Sequence, residues 1–299
     1  METTLLADIG GTNIRFGLLR KGQVTHLSVY PHDLGLSAEE AVRQYLSKTR
    51  SHPDCFVAGA AGILEKSGQI MLTNRDFVFN LPALCQTFEF KQGLLSNDMS
   101  FHALAMADKP DTKRACVIFV GTGLGVAYIY DGLVHPTEDG HRKIYRPNQE
   151  EKALNAMVWE DIISGPAFLK IYRAMEGTYK PVMQSREVSY LAHNVKDKNA
   201  ILTYQIIART LAKFCAHTAQ TKKVSVFYLG GQAVEILRLP IGQETFFQGL
   251  GKWADVLGIR IIRPSEQSAM TGLSMVAEEL RQTGTTTRLA PKSFYVWRG

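Results

Sequence analysis

Apolar positions open the chain in three short runs broken by turn residues. Thr3–Ile9 is apolar and β-prone, Gly10-Gly11 interrupts it, and Ile14–Leu19 is apolar again. Lys21-Gly22 marks a second turn, and Val24–Tyr30 alternates in the manner of a strand. The pattern predicts a three-stranded meander. Ser37 then caps a helix, with Glu40 three residues on as in a capping box and Ala41, Tyr45 and Leu46 on one face. Three strands before the first helix argue against a dinucleotide-binding βαβ start, in which a helix follows the first strand.

The pattern returns about 110 residues later. Lys113–Phe119 reads as a strand, Gly121–Gly125 as a glycine-rich turn and Val126–Tyr130 as a second strand, and Asp131-Gly132 turns the chain into Leu133-Val134. The two segments share pattern rather than identity, and the simplest expectation is two domains of one design. Between them, Phe90–Leu95 is strand-like and Phe101–Ala107 helical. Ser164-Gly165-Pro166 opens a helix, with the hydroxyl as its cap and proline in the first turn. Ala200–Gln220 is the longest helix, with Ile207, Leu211, Phe214 and Cys215 on one stripe. Ser225–Leu229, closing on Gly230-Gly231, and Arg260–Arg263 read as short strands, and Ser265–Leu280 as a helix capped near Ser265.

Composition sets bounds on this. The 299 residues are 45% hydrophobic and 21% charged, the balance of an ordinary globular chain of about two domains. No apolar run approaches the ~20 residues a bilayer span requires. The first apolar stretch, Leu5–Ala7, stops at Asp8, so a secretory leader is not expected. Cysteines 55, 85, 116 and 215 lie too far apart for a redox pair or a zinc knuckle; read as free buried thiols, they fit a reducing cytoplasm. The net charge is +6, of which residues 281–299 supply +4 through Arg281, Arg288, Lys292 and Arg298, with no acid among them. The remainder is too nearly neutral for a nucleic-acid footprint. The basic tail reads as a solvated end, with a contact for an anionic partner as the alternative.

Five places carry candidate chemistry. In Asp8-Ile9-Gly10-Gly11-Thr12-Asn13 a glycine pair between strands lets backbone N–H groups approach an anion, Thr12 and Asn13 add donors, and Asp8 can hold a cation directly or through water. A plain hairpin is the alternative. Gly121-Thr122-Gly123-Leu124-Gly125 spaces its glycines as G-x-G-x-G with a strand after it, which suits a phosphate hairpin or a tight turn rather than a dinucleotide fingerprint. No Walker motif occurs. Asp98, after Ser96-Asn97, stands where a strand gives way to a helix, placed to meet a ligand or to serve only as N-cap. Glu138-Asp139-Gly140-His141 puts acid and imidazole in one loop, able to converge on hydroxyls; no second His or Cys at ligand spacing favours zinc. Glu160 is a further hydroxyl acceptor or a surface helix residue.

Together these blocks resemble bacterial glucokinases. The resemblance runs through LADIGGTNIRFGLL around Asp8–Asn13, Leu72-Thr73-Asn74, Asn97-Asp98, GTGLGVA at Gly121–Ala127 and EDGH at Glu138–His141. It continues through Pro147-Asn148 with Glu150-Glu151, Glu160 with Ser164-Gly165-Pro166 and Tyr172-Arg173, and Gly230-Gly231, in the family's order from residue 3 to about residue 280. It implies an α/β, two-domain actin-like ATPase fold with ribonuclease-H-like sheets and an interdomain cleft. The small domain would be residues 1–107, completed by about 274–299, and the large domain 108–273. By position, Asp98 resembles the general base for a sugar's 6-hydroxyl, and Asn97, Glu138, His141 and Glu160 resemble ligands of the other hydroxyls. Asp8, Gly10, Gly11, Thr12 and Asn13 resemble the first phosphate loop, Gly121, Thr122 and Gly123 the second, and Gly230 and Gly231 the adenosine-contacting turn. The implied reaction is ATP-dependent phosphorylation of glucose to glucose 6-phosphate with Mg²⁺, held at Asp8, as counter-ion to the phosphates. Partners would be a sugar and a nucleotide, without nucleic acid or membrane, and a homodimer stays open.

Two departures bear on the sugar. Where the family usually has Gly-Glu-Gly-Gly-His, this chain has Thr137-Glu138-Asp139-Gly140-His141. The two added side chains are expected to narrow the sugar pocket or add a hydroxyl ligand, which keeps other hexoses and amino sugars in play. The cysteine-rich zinc motif of the repressor–open-reading-frame–kinase family is absent, which lowers the regulator and amino-sugar kinase readings. A sugar-binding sensor without catalysis is the reading from another class, and the retained carboxylates speak against it.

Overall fold

The computed structural model describes residues 2–73, 75–109, 112–175, 184–251 and 267–299. By internal contacts the chain forms two units. One comprises Met1–Lys113, Ala127–Pro136 and Pro264–Gly299; the other comprises Arg114–Val126 and Thr137–Arg263.

The chain's first sheet has six strands: β1 (Thr4–Ile9), β2 (Asn13–Arg20), β3 (Gln23–Pro31), β4 (Cys55–Ala60), β8 (Gln92–Asn97) and β13 (Phe294–Arg298), in the order β13-β8-β4-β1-β2-β3. The expected meander is there: β1, β2 and β3 pair antiparallel in sequence, and β4 returns parallel to β1. Every residue of β1 is buried, as a near-continuous apolar run predicts for a strand covered on both faces. Leu5, Ala7 and Ile9 meet Tyr45 and its neighbours in one core. On the opposite face the Ser268–Thr283 helix packs, and its Arg281 donates to Thr4 Oγ1 (2.7 Å) and Thr3 C=O (2.7 Å). The Ala38–Thr49 helix starts with the predicted capping box between Ser37 and Glu40. A small sheet of β5 (Gly62–Leu64), β6 (Gln69–Leu72) and β7 (Val78–Asn80) follows β4.

The second sheet repeats the order: β9 (Arg114–Val120), β10 (Leu124–Tyr130), β11 (Leu133–Thr137) and β12 (Val226–Gly231) lie as β11-β10-β9-β12, with β12 parallel to β9. The same step, from a meander's first strand to a parallel neighbour, joins β1 to β4 and β9 to β12. The longest helix, Lys198–Lys222, buries Ile207, Leu211, Phe214 and Cys215 as the stripe predicted. All four cysteines are free and buried. Among the described residues no helix is long and apolar enough to cross a membrane.

Two expectations change. The tail is not a solvated end: β13 pairs antiparallel with β8, Trp297 opposite Gly93 and Tyr295 opposite Leu95, while Arg281 pairs with Asp54 and Arg288 with Asp108. The aromatic run Phe294–Trp297 supplies the β propensity that the charge count concealed. The Gly165–Ala174 helix carries proline in its first turn, but its Ser164 makes no side-chain cap bond. The Arg260–Arg263 strand, the Ser265 cap and Asn74 lie outside the described residues.

Candidate active site

In the first unit, strand register decides the surroundings of Asp8. It stands directly opposite Arg15, whose Nη1 lies 3.1 Å from Asp8 Oδ2. Asp8 is buried and the Arg15 side chain is 45% exposed, so the pair sits at the rim of the sheet. The loop that follows is braced from three sides. The Gly10 N–H donates to Asn13 C=O (3.0 Å), the His32 N–H donates to Thr12 C=O (3.0 Å), and Arg75 Nε donates to Gly11 C=O (2.7 Å). His32 Nε2 lies 3.0 Å from Gly10 C=O; a carbonyl only accepts, so the ring proton is on Nε2. Burial lowers the pKa of His32 below the usual histidine value, and the Gly10 bond opposes that shift. Arg75 also lies 3.4 Å from Asp33, itself 86% exposed.

Asn97 and Asp98 stand where β8 meets the Asp98–Ala107 helix. The N-cap is Asn97, whose Oδ1 accepts the Met99 N–H (2.9 Å) and whose Nδ2 donates to Gly62 C=O (2.9 Å). Asp98 is the first helical residue, and its Oδ1 accepts the same N–H at 2.9 Å. A carboxylate there is stabilised by the positive end of the helix. One turn on, His102 shares the face of Asp98, with Nδ1 2.7 Å from Ser268 Oγ. Burial lowers its pKa, and the charge of Asp8 acts the other way.

The second unit gathers three of the predicted sugar ligands into one cluster. His141 Nδ1 lies 3.2 Å from Glu138 Oε2, and its Nε2 3.5 Å from Glu160 Oε1. The other Glu160 oxygen accepts the Leu124 N–H at 2.8 Å. Burial raises the pKa of Glu138, as does the charge of Glu160, while His141 lowers it. The departures from the family pattern lie beside this cluster and face elsewhere. Thr137 Oγ1 donates to Val126 C=O (3.2 Å) and accepts the Asp139 N–H (3.3 Å). The Asp139 side chain is buried against Arg142 Nε (2.7 Å) and Lys222 Nζ (3.5 Å).

The glycines divide by what a Cβ would meet. At Gly123 it would stand 2.6 Å from Glu160 Oε2, at Gly230 2.4 Å from the Phe119 ring, and at Gly231 2.3 Å from Val120 C=O. Packing therefore accounts for glycine at 230 and 231, whereas at 123 a Cβ would displace only the carboxylate end of Glu160. At Gly121 a Cβ would meet nothing within 4 Å, and at Gly10 only Asn13 O at 3.7 Å. The protein leaves room there that it does not itself fill. The Gly121 N–H is bonded to Gly123 C=O (2.9 Å), and Gly121 C=O accepts from Gly165 (2.7 Å). The Gln232 amide packs against Gly165, and its buried Oε1 has no hydrogen-bond partner among the described residues. Three separate glycine motifs thus meet in this unit.

Sequence reading missed Arg15, His32, Arg75 and His102. Counting across the hairpin finds Arg15, and the i, i+4 spacing from Asp98 finds His102. His32 and Arg75 reach the loop only through the fold.

Comparison with known proteins agrees with this architecture. A solved structure of a ROK family glucokinase from Streptomyces griseus, in complex with glucose and AMPPNP, superposes with a TM-score of 0.72 at 16% identity, covering 93% of this chain and 99% of that one. The fold is the two-domain actin-like ATPase fold. A glucokinase of Sinorhizobium medicae is 28% identical over 271 residues, 78% of each protein. The bifunctional protein glk of Burkholderia orbicola is 27% identical over 258 residues, which cover 76% of this chain but 40% of that protein. The family model for glucokinase matches residues 5–254, and the chain belongs to the glucokinase family.

Proposed function

We propose that this protein is an ATP-dependent hexose kinase whose sugar is glucose, phosphorylated at the 6-hydroxyl. The observation that carries the reading is the Glu138–His141–Glu160 cluster. Residues 22 apart in sequence converge as acceptors and a donor, the inventory a polyhydroxylated ligand requires. A sugar seated on these partly exposed groups would cover them, and a wrong pattern of hydroxyls would leave one of them covered and unpaired. The family, and the Streptomyces griseus relative with glucose and AMPPNP bound, support the same substrates.

In the reaction the 6-hydroxyl oxygen attacks the γ-phosphorus, the bond to the β–γ bridging oxygen breaks, and the hydroxyl proton passes to the Asp98 carboxylate. Catalysis here consists mainly of positioning and charge stabilisation. At the helix N-terminus the Asp98 carboxylate is placed to accept that proton. Asn97 fixes that helix start through its two bonds. Gly10 and Gly121 give the phosphates backbone without Cβ obstruction, and the orphan Gln232 Oε1 beside Gly230-Gly231 offers an acceptor to the nucleoside. Asp8, one buried carboxylate beside the loop with its Oδ2 on Arg15, is the residue that would hold a Mg²⁺ accompanying the nucleotide. When bound, Mg²⁺ offsets phosphate charge.

A coupled ADP-release assay with MgATP against glucose, mannose, fructose, N-acetylglucosamine and N-acetylmannosamine tests this. Turnover confined to glucose is the expected result; silence across the panel in folded protein overturns it. Asp98→Asn should lower kcat by about 10²–10⁴-fold with sugar binding retained, and a near wild-type rate refutes the base assignment.

A further inference from the structure

Thr137 and Asp139 add side chains to a loop that carries two sugar ligands, yet neither faces the hydroxyl-binding cluster. Thr137 uses its hydroxyl twice, donating to Val126 C=O on the neighbouring strand β10 and accepting the Asp139 N–H within the loop. Asp139 starts the short 3-10 turn Asp139–His141, and its carboxylate is turned to Arg142 within the loop and to Lys222, the last residue of the Lys198–Lys222 helix. With 6% of its surface exposed, Asp139 has no room to meet a ligand. The next residue is seated flush: a Cβ on Gly140 would stand 2.3 Å from Leu124 C=O, and the N–H of that same Leu124 donates to Glu160. One short stretch of backbone therefore connects the Asp139 anchor with Glu138 before it, with His141 two residues after it, and with Glu160.

We infer that Thr137 and Asp139 are positioning residues, Thr137 tying the start of the sugar-binding loop to β10 and Asp139 tying the loop to the long helix, and that they do not narrow the pocket or select another sugar. The inference rests on the proposed sugar-kinase reading. A tethered loop is ordered before the sugar arrives, so the ordering cost is not charged against binding. The sugar preference then belongs to the residues that meet the hydroxyls, Glu138, His141 and Glu160 among them, and not to Thr137 or Asp139. On this inference the added side chains hold the loop in place rather than reshape the pocket.

The test restores the glycines usual in the family, Thr137→Gly with Asp139→Gly, and adds Asp139→Asn and Lys222→Met singly and together. In the double-glycine variant the KM for glucose should rise by about tenfold, the scale of a loop-ordering cost. Its kcat should stay within about twofold, the signature of lost uniform binding. The order of preference among hexoses should not change. Asp139→Asn and Lys222→Met should each raise KM, and the pair should raise it by less than the product of the two. New turnover of N-acetylglucosamine or N-acetylmannosamine by the double-glycine variant overturns the inference, as does an unchanged KM. Hydrogen exchange of the 138–142 amides gives a readout without turnover: protection should fall in each variant, and equal protection refutes the tether. If the wild type phosphorylates no hexose, the kinase reading fails, and the exchange experiment still decides whether the tether exists.

Discussion

Gly121 and Gly140 are the same residue under opposite constraints. At Gly140 the fold forbids a side chain, because a Cβ would overlap the Leu124 carbonyl at 2.3 Å; at Gly121 nothing lies within 4 Å of where one would sit. Glycine at 140 is thus a packing requirement, and glycine at 121 is explained by something other than packing. A phosphate that approaches the backbone is that explanation under the proposed function. Gly121→Ala should therefore fold with stability within about 0.5 kcal/mol of wild type, as for an unobstructed surface change, while the KM for MgATP rises. Gly140→Ala should cost about 1–3 kcal/mol, as overpacking does. Urea unfolding and nucleotide titration of the two variants separate the effects. A Gly121→Ala enzyme with unchanged nucleotide KM removes the phosphate assignment at that loop.

At the level of elements, the C-terminal strand shows what charge counting conceals. Four cations and no acid made residues 281–299 read as a solvated end, whereas Phe294–Arg298 closes the edge of the first sheet against β8. Deleting residues 289–299 removes β13, two half-buried aromatics packed on the core, and the buried Leu289. At about 1.5–3 kcal/mol for a fully buried large side chain, the loss should be on the order of 3 kcal/mol, with aggregation through the bared β8 edge. An unchanged urea midpoint in soluble truncated protein shows the strand to be dispensable. Local signals did reveal most elements. The Ser37–Glu40 capping box, the glycine-punctuated meanders and the Ile207–Cys215 stripe each depend on neighbours in sequence, and each formed as expected. What stayed hidden depends on distance. Neither the brace of Arg75 on Gly11, 64 residues away, nor the turning of Asp139 toward Lys222 has any sequence-local cause. The cap moved from Asp98 to Asn97 because either short polar side chain can accept the same Met99 N–H, and only the backbone angles choose between them.

For the whole molecule, the sequence repeat became a repeated strand order, and the candidate chemistry divides between the two units. Asp98, the proposed base, and the Asp8 hairpin belong to one, and the Glu138–His141–Glu160 cluster and Gln232 belong to the other. That division makes ligand-linked stability informative, since a ligand that binds only the native state adds RT ln(1 + [L]/Kd) to it. Glucose at a hundred times its dissociation constant should then stabilise the protein by about 2.7 kcal/mol without any nucleotide. Asp98→Asn should keep that glucose shift, because Asp98 lies outside the Glu138–His141–Glu160 cluster proposed to bind the sugar, and Glu138→Gln should lose most of it. The donor is tested the same way. An orphan acceptor at Gln232 is satisfied by a nucleoside's N–H or O–H groups, and polyphosphate has none to offer. MgATP should therefore raise the melting temperature of wild type more than polyphosphate of matched phosphate content, and Gln232→Leu should shrink that difference. Equal shifts from the two donors, unchanged by Gln232→Leu, would show that recognition stops at the phosphates, and the nucleotide reading would give way to a polyphosphate-dependent kinase on the same fold.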